Sequence, residues 1–303
     1  VPGDGFTNGT AGGGARYDPA TMARRPPHSL DAPPLLERAR WHLRRTAPAR
    51  AVYRYRRERM ADAYVLSFPK CGRTWLRAML GKAMALHCGL TEADDVDVRR
   101  LSEMRRELPR VRFKHDDNPH FKAADELVSD KSEYRNCRVV LLVRDVRDTV
   151  ISAYFQMTRR EQRVGYEGDL DSFLRSRRGS AETLIRFYNI WAGQRHKPRD
   201  FLLVRYEDMH VDPARELRRV LGGLGVEGVS EEAIQAAVAF ASFENLRQME
   251  QSGRGDSLRL GGGRGDDPES LKTRRGKVGG YVDYLDEDQL GWLNGLIRDR
   301  LDP

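Results

Sequence analysis

The stretch 63-AYVLSFPKCGRTW-75 decides the fold of this chain. Residues 63–66 are apolar and predict a strand, whereas residues 74–86 show the apolar spacing of a helix. Between them lie a lysine, a glycine and a hydroxyl, where a strand–loop–helix turn can hold a phosphate. The order differs from the triphosphate loop G-x-x-x-x-G-K-[ST], because Lys70 precedes Gly72 and no glycine opens the loop. An altered triphosphate site, a site for another phosphate compound and a plain tight turn are the three interpretations.

The charge balance favours anionic partners. The 303 residues include 53 Lys and Arg against 45 Asp and Glu, for a formal net charge of +8. This excess suits nucleotides, phosphorylated or sulfated substrates, nucleic acid or lipid headgroups, and does not choose among them. The three scattered cysteines form no C-x-x-C pair, which predicts a reducing, cytoplasmic setting. The apolar runs are too short to cross a bilayer.

The first sixty residues differ in composition from the rest. Residues 1–34 are rich in Gly, Pro and polar residues, and they predict a flexible leader. Residues 35–59 are strongly basic and predict a helix. We interpret this helix as a solvated cover of the main sheet. A face for weak association with a membrane surface, or for an acidic substrate, is the alternative.

Strands and helices alternate from residue 63 onward. The predicted strands are AYVLSF, VRFKH, RVVLLVRD and DFLLVRYED, the last two buried on both faces. Helices are predicted in RDTVISAYFQM, in PARELRRVLGGLG, where Gly222 and Gly223 would stop the helix, and in SEEAIQAAVAFAS. The alternation predicts an α/β fold, a single domain over residues 35–303 with a central parallel sheet flanked by helices. The Gly-rich residues 252–267 predict a mobile loop.

Cationic groups follow the predicted strands, at the edge where open α/β sheets bind ligands. Lys70 comes after the first strand, at a helix N-terminus that favours anions. Arg144 comes after a buried strand, with Ser152 about two helical turns further on, and the pair predicts a second anion site. A third cationic segment covers residues 272–281. Taken singly, each also fits a plain turn, a surface ion network or a solvated basic loop.

Taken together, these segments resemble a known family. FPKCGRTW, RDVRDTVISAY, VRYEDM followed by DP, and RRGKVGGY occur in an order and at separations that resemble the cytosolic-type sulfotransferases. These enzymes use 3′-phosphoadenosine 5′-phosphosulfate (PAPS) as sulfuryl donor and release adenosine 3′,5′-bisphosphate (PAP). The resemblance covers residues 63–290 and implies a fold like that of the P-loop nucleotide kinases, with no metal required. A donor with a phosphosulfate and a separate 3′-phosphate needs two anion sites, as the spacing predicts.

The resemblance also implies which residues bind the donor. The first loop would hold the 5′-phosphosulfate, the two anion-site residues and the C-terminal basic loop would hold the 3′-phosphate, and two aromatic rings would flank the adenine. In chain order these residues are Lys70, Cys71, Gly72, Arg73, Thr74, Trp75, Arg144, Ser152, Tyr206, Ser242, Phe243, Arg274, Arg275 and Gly276. Trp75 and Phe243 are the adenine-stacking pair. Cys71 and Arg73 stand where the family usually has serine and threonine.

The resemblance places the catalytic base at His115, with Lys70 as the second catalytic residue. His115 ends the predicted strand VRFKH, and Phe113-Lys114 replace the lysine and threonine that usually precede the family's histidine. A histidine suits base chemistry near neutral pH. A metal site made of His115, Asp116, Asp117 and His120 is an alternative, weakened by ligands so close in sequence.

The predicted reaction is sulfuryl transfer to an acceptor hydroxyl. The acceptor would be a small molecule, a metabolite or a glycan or lipid-linked group, in a pocket lined or covered by residues 166–178 and the Gly-rich loop 252–267. The alternatives are a small-molecule or nucleoside kinase that uses ATP, which the order of the first loop disfavours, and a nucleic-acid binder, which the interspersed acidic residues disfavour. The family's dimerisation signature is not evident in the sequence, which leaves the oligomeric state open.

Overall fold

The computed structural model describes residues 61–90, 96–160, 165–254, 258, 260–261 and 267–302. All of these residues fall in one compact unit of the chain. The predicted leader (1–34) and the predicted basic helix (35–59) lie outside the described residues, as does much of the predicted loop 252–267. Two described residues of that loop, Leu258 and Leu260, are buried in the hydrophobic core.

Four parallel strands form the central sheet. They are β1 (Ala63–Ser67), β2 (Val111–Lys114), β3 (Arg138–Val143) and β4 (Asp200–Arg205), in the order β2-β1-β3-β4. Val65 of β1 lies opposite Phe113 on one side and Val140 on the other. The inner strand β1 is buried along its whole length, which accounts for its continuous apolar sequence. The predicted α/β architecture around a parallel sheet is confirmed.

The fourth strand is less buried than its sequence predicts. β4 lies at the edge of the sheet, where Leu203 exposes 46 % of its surface and Val204 is fully buried. The prediction of a strand buried on both faces is therefore wrong for β4, because an apolar run does not reveal a strand's place in the sheet. The strand also ends at Arg205, and Tyr206 begins a helix.

Helices connect the strands and flank the sheet. The α-helices are α1 (Arg73–His87), α2 (Val98–Met104), α3 (Val146–Phe155), α4 (Leu170–Leu174), α5 (Ala181–Gln194), α6 (Tyr206–Val211), α7 (Pro213–Leu224), α8 (Glu231–Phe240), α9 (Phe243–Gln251) and α10 (Glu287–Arg300). A π-helical turn (Gln156–Arg160) extends α3, and 3-10 turns cover Pro119–Phe121, Ala124–Glu126, Ser132–Tyr134, Pro268–Ser270 and Gly280–Asp283. Within the described ranges, no helix combines the length and the apolar character needed to cross a membrane.

The end of helix α7 differs from its prediction. Gly222 and Gly223 do not stop the helix, which continues through Leu224 and ends at Gly225, a residue with φ of 84°. A side chain at Gly223 would come within 2.8 Å of the Leu202 side chain on β4. Gly223 inside the helix therefore allows α7 to pack closely against the edge strand, whereas Gly225, with its positive φ, ends the helix.

Candidate active site

One cavity of about 670 Å³ collects the residues that follow all four strands. It contains parts of the loop after β1, His115 after β2, Arg144 after β3 and Tyr206 after β4. Of the predicted site residues, those that line it are Lys70, Gly72, Arg73, Thr74, Trp75, His115, Arg144, Ser152, Tyr206, Ser242, Phe243, Arg274, Arg275 and Gly276. Residues separated by more than two hundred positions in the sequence thus converge at the carboxyl edge of the sheet, as expected for an open parallel sheet.

The loop after β1 has the backbone shape of an anion site. Lys70 and Gly72 have φ of 74° and 88°, and Gly72 precedes the first residue of helix α1. A side chain at Gly72 would lie 2.4 Å from the ring of Tyr206. Glycine is thus required both by the left-handed conformation and by the packed ring. The first residues of α1, whose backbone N–H groups have no partner within the helix, line the cavity.

Cys71 is the predicted site residue whose side chain turns away from the cavity. It is fully buried, and its Sγ lies 3.5 Å from Oη of Tyr188 on helix α5. Tyr188 also donates to the carbonyl of Arg144 at 2.8 Å and accepts from the backbone N–H of Arg144 at 3.0 Å. Burial raises the pKa of Cys71 to about 11, so the thiol is neutral. Through Tyr188, the side chain of Cys71 therefore connects the loop after β1 to the start of the loop after β3.

Positive charge is concentrated around Lys70. Its Nζ donates to Oε1 of Gln156 at 3.2 Å. Burial first, and then the charges of Lys272 and Arg160, lower the pKa of Lys70 to about 7. Burial and Arg160 likewise lower the pKa of Lys272 to about 8. Buried lysines whose pKa is lowered by neighbouring cations would be stabilised by a bound anion, so this end of the cavity suits a phosphate or sulfate group.

Arg144 lies where the second anion site is predicted. Its Nη1 donates to the carbonyl of Lys70 at 3.3 Å and its Nη2 to the carbonyl of Lys277 at 3.1 Å. The guanidinium lies 4.3 Å from the ring centroid of Tyr206 and 3.5 Å from the buried carboxylate of Asp148. Its Nε is buried without a hydrogen-bond partner in the described part of the chain. The residue also lines the cavity, where a guanidinium suits an anionic ligand.

The two arginines of the C-terminal basic loop contact acidic residues as well as the cavity. Nη1 of Arg274 donates to Oε2 of Glu269 at 3.0 Å and also to Oη of Tyr284. Nη1 of Arg275 donates to Oδ2 of Asp283 at 2.5 Å. A 3′-phosphate held by these arginines would therefore compete with carboxylates that already neutralise them.

Aromatic side chains line the part of the cavity predicted to hold the adenine. The ring of Trp75 lies 5.8 Å from that of Tyr206 and 4.8 Å from that of His210. Phe243 packs on Gly276, where an added side chain would lie 2.5 Å from the ring. Ser242 caps helix α9 by accepting from the N–H of Asn245 at 3.3 Å. Trp75 and Phe243 both face the same cavity, which their predicted role requires.

The hydrogen bonds of His115 fix its tautomer. Nδ1 lies 3.0 Å from the carbonyl oxygen of Ser67, which can only accept, so Nδ1 carries the proton. Nε2 therefore holds the lone pair, and it accepts from Nη2 of Arg73 at 2.6 Å. Burial and then the Arg73 charge lower the pKa of His115 to about 3. A neutral imidazole with its lone pair in the cavity has the chemical form of a general base.

The alternative metal site near His115 does not assemble. The carboxylate of Asp116 is buried and is bound by Lys131 at 2.7 Å, Tyr134 at 2.6 Å and Trp191 at 3.2 Å. Asp117 accepts from Lys122 and from the N–H of Val128. These partners turn both carboxylates toward protein groups, away from a shared centre with the histidines. Throughout the described segments, no group of three His, Cys, Asp or Glu side chains is placed to hold a metal ion.

Several cavity residues were not predicted. Asp148 anchors the C-terminal loop through the N–H groups of Gly279 and Tyr281. Gln156 contacts Lys70, and Lys272 adds to the cationic cluster. Lys272 belongs to the basic segment identified in the sequence, and Asp148 belongs to the segment RDVRD. Their partners lie more than a hundred residues away in the sequence, so a local sequence pattern does not reveal these contacts. By contrast, residues 166–178, predicted to line the acceptor pocket, are absent from the lining of this cavity in the described part of the chain.

Comparison with known proteins gives the class of enzyme. Residues 61–302 match the model of the sulfotransferase domain family. Cytosolic sulfotransferase 16 of Arabidopsis thaliana is 26 % identical over 268 residues, which cover 80 % of this chain and 76 % of the relative. Flavonol 3-sulfotransferase of Flaveria bidentis is 22 % identical over 269 residues, 79 % of this chain and 81 % of the relative. A mouse sulfotransferase solved with PAP superimposes with a TM-score of 0.55 at 17 % identity, covering 80 % of this chain and 84 % of that one.

The chain therefore belongs to the sulfotransferase family. The match spans most of the sequence, and the predicted membership of the PAPS-dependent sulfotransferases is confirmed. The structural likeness independently confirms the fold.

Proposed function

We propose that this enzyme transfers the sulfuryl group of PAPS to an acceptor hydroxyl, with His115 as general base. The observation that carries the proposal is the position of Nε2 of His115, which shares a cavity with the Lys70 loop and holds a lone pair fixed by the bond from Nδ1 to Ser67. A base on one side of the sulfuryl position and a cation on the other is the arrangement that in-line transfer needs.

The cavity residues fit the donor's charges. The N–H groups at the start of α1 and the buried Lys70 would hold the 5′-phosphosulfate, because both favour an anion at that point. Arg144 lines the cavity and would bind the 3′-phosphate, together with Ser152, Arg274 and Arg275. Trp75 and Phe243 would enclose the adenine.

Each catalytic side chain has a defined task. PAPS supplies a sulfuryl group whose sulfur forms a bond to the acceptor oxygen as its bond to the 5′-phosphate oxygen breaks, releasing PAP. Nε2 of His115 takes the hydroxyl proton as that acceptor oxygen attacks. Lys70, protonated beside the phosphosulfate, stabilises the negative charge that builds on the bridging oxygen. The arginines and Lys70 supply the positive charge that a metal ion supplies in many phosphoryl transfers.

The acceptor would be a hydroxyl-bearing small molecule or metabolite. His120, Phe121 and Met157 line the cavity together with His115, so the acceptor would meet both apolar and aromatic surface. Phe121 exposes 49 % of its surface, and its ring lies 3.9 Å from that of His120. Flavonols in the name of one relative fit such a surface. A glycan or lipid-linked acceptor, association with a membrane surface and a cytoplasmic location stay predictions.

A direct assay tests the proposal. The purified protein is incubated with PAPS carrying radioactive sulfate and a panel of phenols, flavonols and aliphatic alcohols. We expect label transfer to at least one hydroxyl class, without added metal. His115→Ala should reduce kcat by about 100-fold or more, the usual range for loss of a general base. Full turnover by His115→Ala would remove His115 from the role. The exposed His196, changed to alanine, serves as the matched control and should keep wild-type turnover.

A further inference from the structure

The lone pair that His115 needs for catalysis is covered by Arg73. Nη2 of Arg73 lies 2.6 Å from Nε2 of His115, and both side chains line the cavity. A guanidinium can only donate hydrogen bonds, so Nε2 must be the acceptor. With the guanidinium at this position, an acceptor hydroxyl cannot use the same lone pair. The base is correctly oriented, yet it is not available.

The surroundings of His115 also weaken it as a base. Arg73, Arg77 and His120 face it as charged or titratable groups, and the Ser67 carbonyl faces it as a hydrogen-bond acceptor. Burial and the charge of Arg73 hold its pKa near 3, and the same two causes lower the pKa of His120 to about 4. The neighbouring side chains Arg73, His120 and Arg77 each lower the pKa of His115. Removing the guanidinium from Nε2 would expose the lone pair and raise its basicity together.

Arg73 lies where an arriving anion would attract it. It is the first residue of helix α1, directly after Gly72 and three positions from Lys70. The helix N-terminus and Lys70 form the end of the cavity assigned above to the phosphosulfate. A guanidinium binds phosphate or sulfate oxygens much more strongly than a neutral imidazole, because both partners are then charged. An arginine between a neutral histidine and an anion would therefore be drawn toward the anion.

We propose that Arg73 is a donor-operated gate on the catalytic base. In the free enzyme its guanidinium covers Nε2 of His115. The phosphosulfate of the bound donor draws the guanidinium away and releases the lone pair for the acceptor hydroxyl. Arg73 thus acts as a positioning residue that couples donor binding to base availability. This inference rests on the proposed function, because it takes the donor to bind at the Lys70 loop.

The gate predicts an order of events. An acceptor that arrives before the donor meets a blocked base, so productive binding starts with the donor. The donor's anion also compensates the charge of Arg73, which otherwise opposes protonation of His115. The base should therefore gain proton affinity only in the donor-bound enzyme, where an acceptor proton must be taken up.

Histidine titration by NMR tests the gate with a readout other than turnover. The full chain is labelled with carbon-13 at histidine Cε1, and the His115 signal is assigned by its loss in His115→Ala. The pH titration is recorded without ligand, with saturating PAP and with adenosine. We expect the pKa of His115 to be low without ligand and to stay low with adenosine. With PAP, we expect this pKa to rise by about one pH unit or more. In Arg73→Met, the pKa should already be raised without ligand, and most of the response to PAP should be lost.

The controls separate the gate from donor binding. Arg275→Met weakens the predicted 3′-phosphate contact and should leave the His115 response intact once PAP is saturating. If Arg73→Met does not fold, Arg73→Gln provides the same comparison with a polar side chain. An unchanged His115 pKa in wild-type protein saturated with PAP overturns the gate, as does an equally low pKa in folded Arg73→Met. Failure of PAP to bind at all would instead overturn the proposed function.

Discussion

The carboxylate of Asp148 accepts a hydrogen bond from the backbone N–H of Gly279 at 2.8 Å. The second oxygen of the same buried carboxylate accepts from the N–H of Tyr281 at 3.0 Å, and the group also lies 3.5 Å from Arg144. One side chain on α3 thereby positions both the arginine of the second anion site and the C-terminal basic loop. The two parts predicted to hold the 3′-phosphate share a single anchor.

Replacing this anchor should weaken donor binding. In Asp148→Asn, an amide N–H₂ faces one of the two backbone N–H groups and the negative partner of Arg144 is lost. A buried donor left without a partner costs about 1–3 kcal/mol, so we expect PAP affinity to fall by about tenfold or more. Isothermal titration calorimetry measures the affinity of each variant for PAP. The matched control is Asp283→Asn, which removes the carboxylate that Arg275 contacts and should leave PAP binding equal or tighter. Equal losses in both variants would contradict the anchor.

The ionisation of Lys70 should change when PAP binds. Its pKa of about 7 leaves Lys70 mostly neutral at pH 8.5, and a bound phosphate would raise that pKa. We therefore expect PAP binding at pH 8.5 to take up close to one proton, and Lys272 to add a smaller share. Calorimetry in buffers of different ionisation enthalpy measures the uptake. In Lys70→Met, the part of the proton uptake that is due to Lys70 should disappear, and turnover should fall severely. Unchanged uptake in this variant would remove Lys70 from the phosphate site.

Local sequence patterns were sufficient to predict the strands and to predict that the residues following them lie close together. A strand followed by a loop and a helix is encoded in neighbouring residues, and a parallel sheet brings its carboxyl ends to one edge. Lys70, His115 and Arg144 could therefore be placed together from sequence. The edge position of β4 could not be predicted from the sequence, because it depends on pairing between strands that are distant in the chain.

Other contacts depend on tertiary packing alone. Arg73 and His115 are 42 residues apart, and Asp148 and Gly279 are 131 apart, so no periodicity connects them. The side chain of Cys71 faces Tyr188 on α5, a helix that the sequence analysis did not predict. Family resemblance could name these positions, yet only the packed structure shows what each side chain contacts.

Gly72 should be intolerant of a side chain. Gly72→Ala places a Cβ 2.4 Å from the Tyr206 ring at a φ of 88°, so the loop or the ring must shift. We expect PAP affinity to fall by about tenfold or more, because the backbone proposed to bind the phosphate would move. The matched control is Gly193→Ala in helix α5, where φ is ordinary and the added Cβ would make no tertiary contact within 4 Å. That change should raise the free energy of unfolding by up to about 1 kcal/mol. Wild-type PAP binding by Gly72→Ala would contradict the loop geometry.

Asp116 should matter for stability. Its buried carboxylate pairs with Lys131 and accepts from Tyr134 and Trp191. Asp116→Ala leaves the ammonium of Lys131 buried without its partner, and we expect a loss of about 3–5 kcal/mol in the free energy of unfolding. Chemical denaturation measures it. Asp125→Ala is the control, because its ion pair with Arg177 is largely exposed and should contribute at most about 1 kcal/mol. Equal effects in both variants would contradict the structural role of Asp116.

The central claim is that the cavity binds a nucleotide with two separate anionic groups. Calorimetry on the wild-type protein with PAP, with adenosine 5′-monophosphate and with ATP–Mg²⁺ tests it most directly. We predict that PAP binds without a metal and at least about tenfold more tightly than the monophosphate, because the 3′-phosphate adds charge-assisted bonds to Arg144. Arg144→Met should remove most of that difference. Tighter binding of ATP–Mg²⁺ than of PAP, or equal binding of PAP and the monophosphate, would contradict the account.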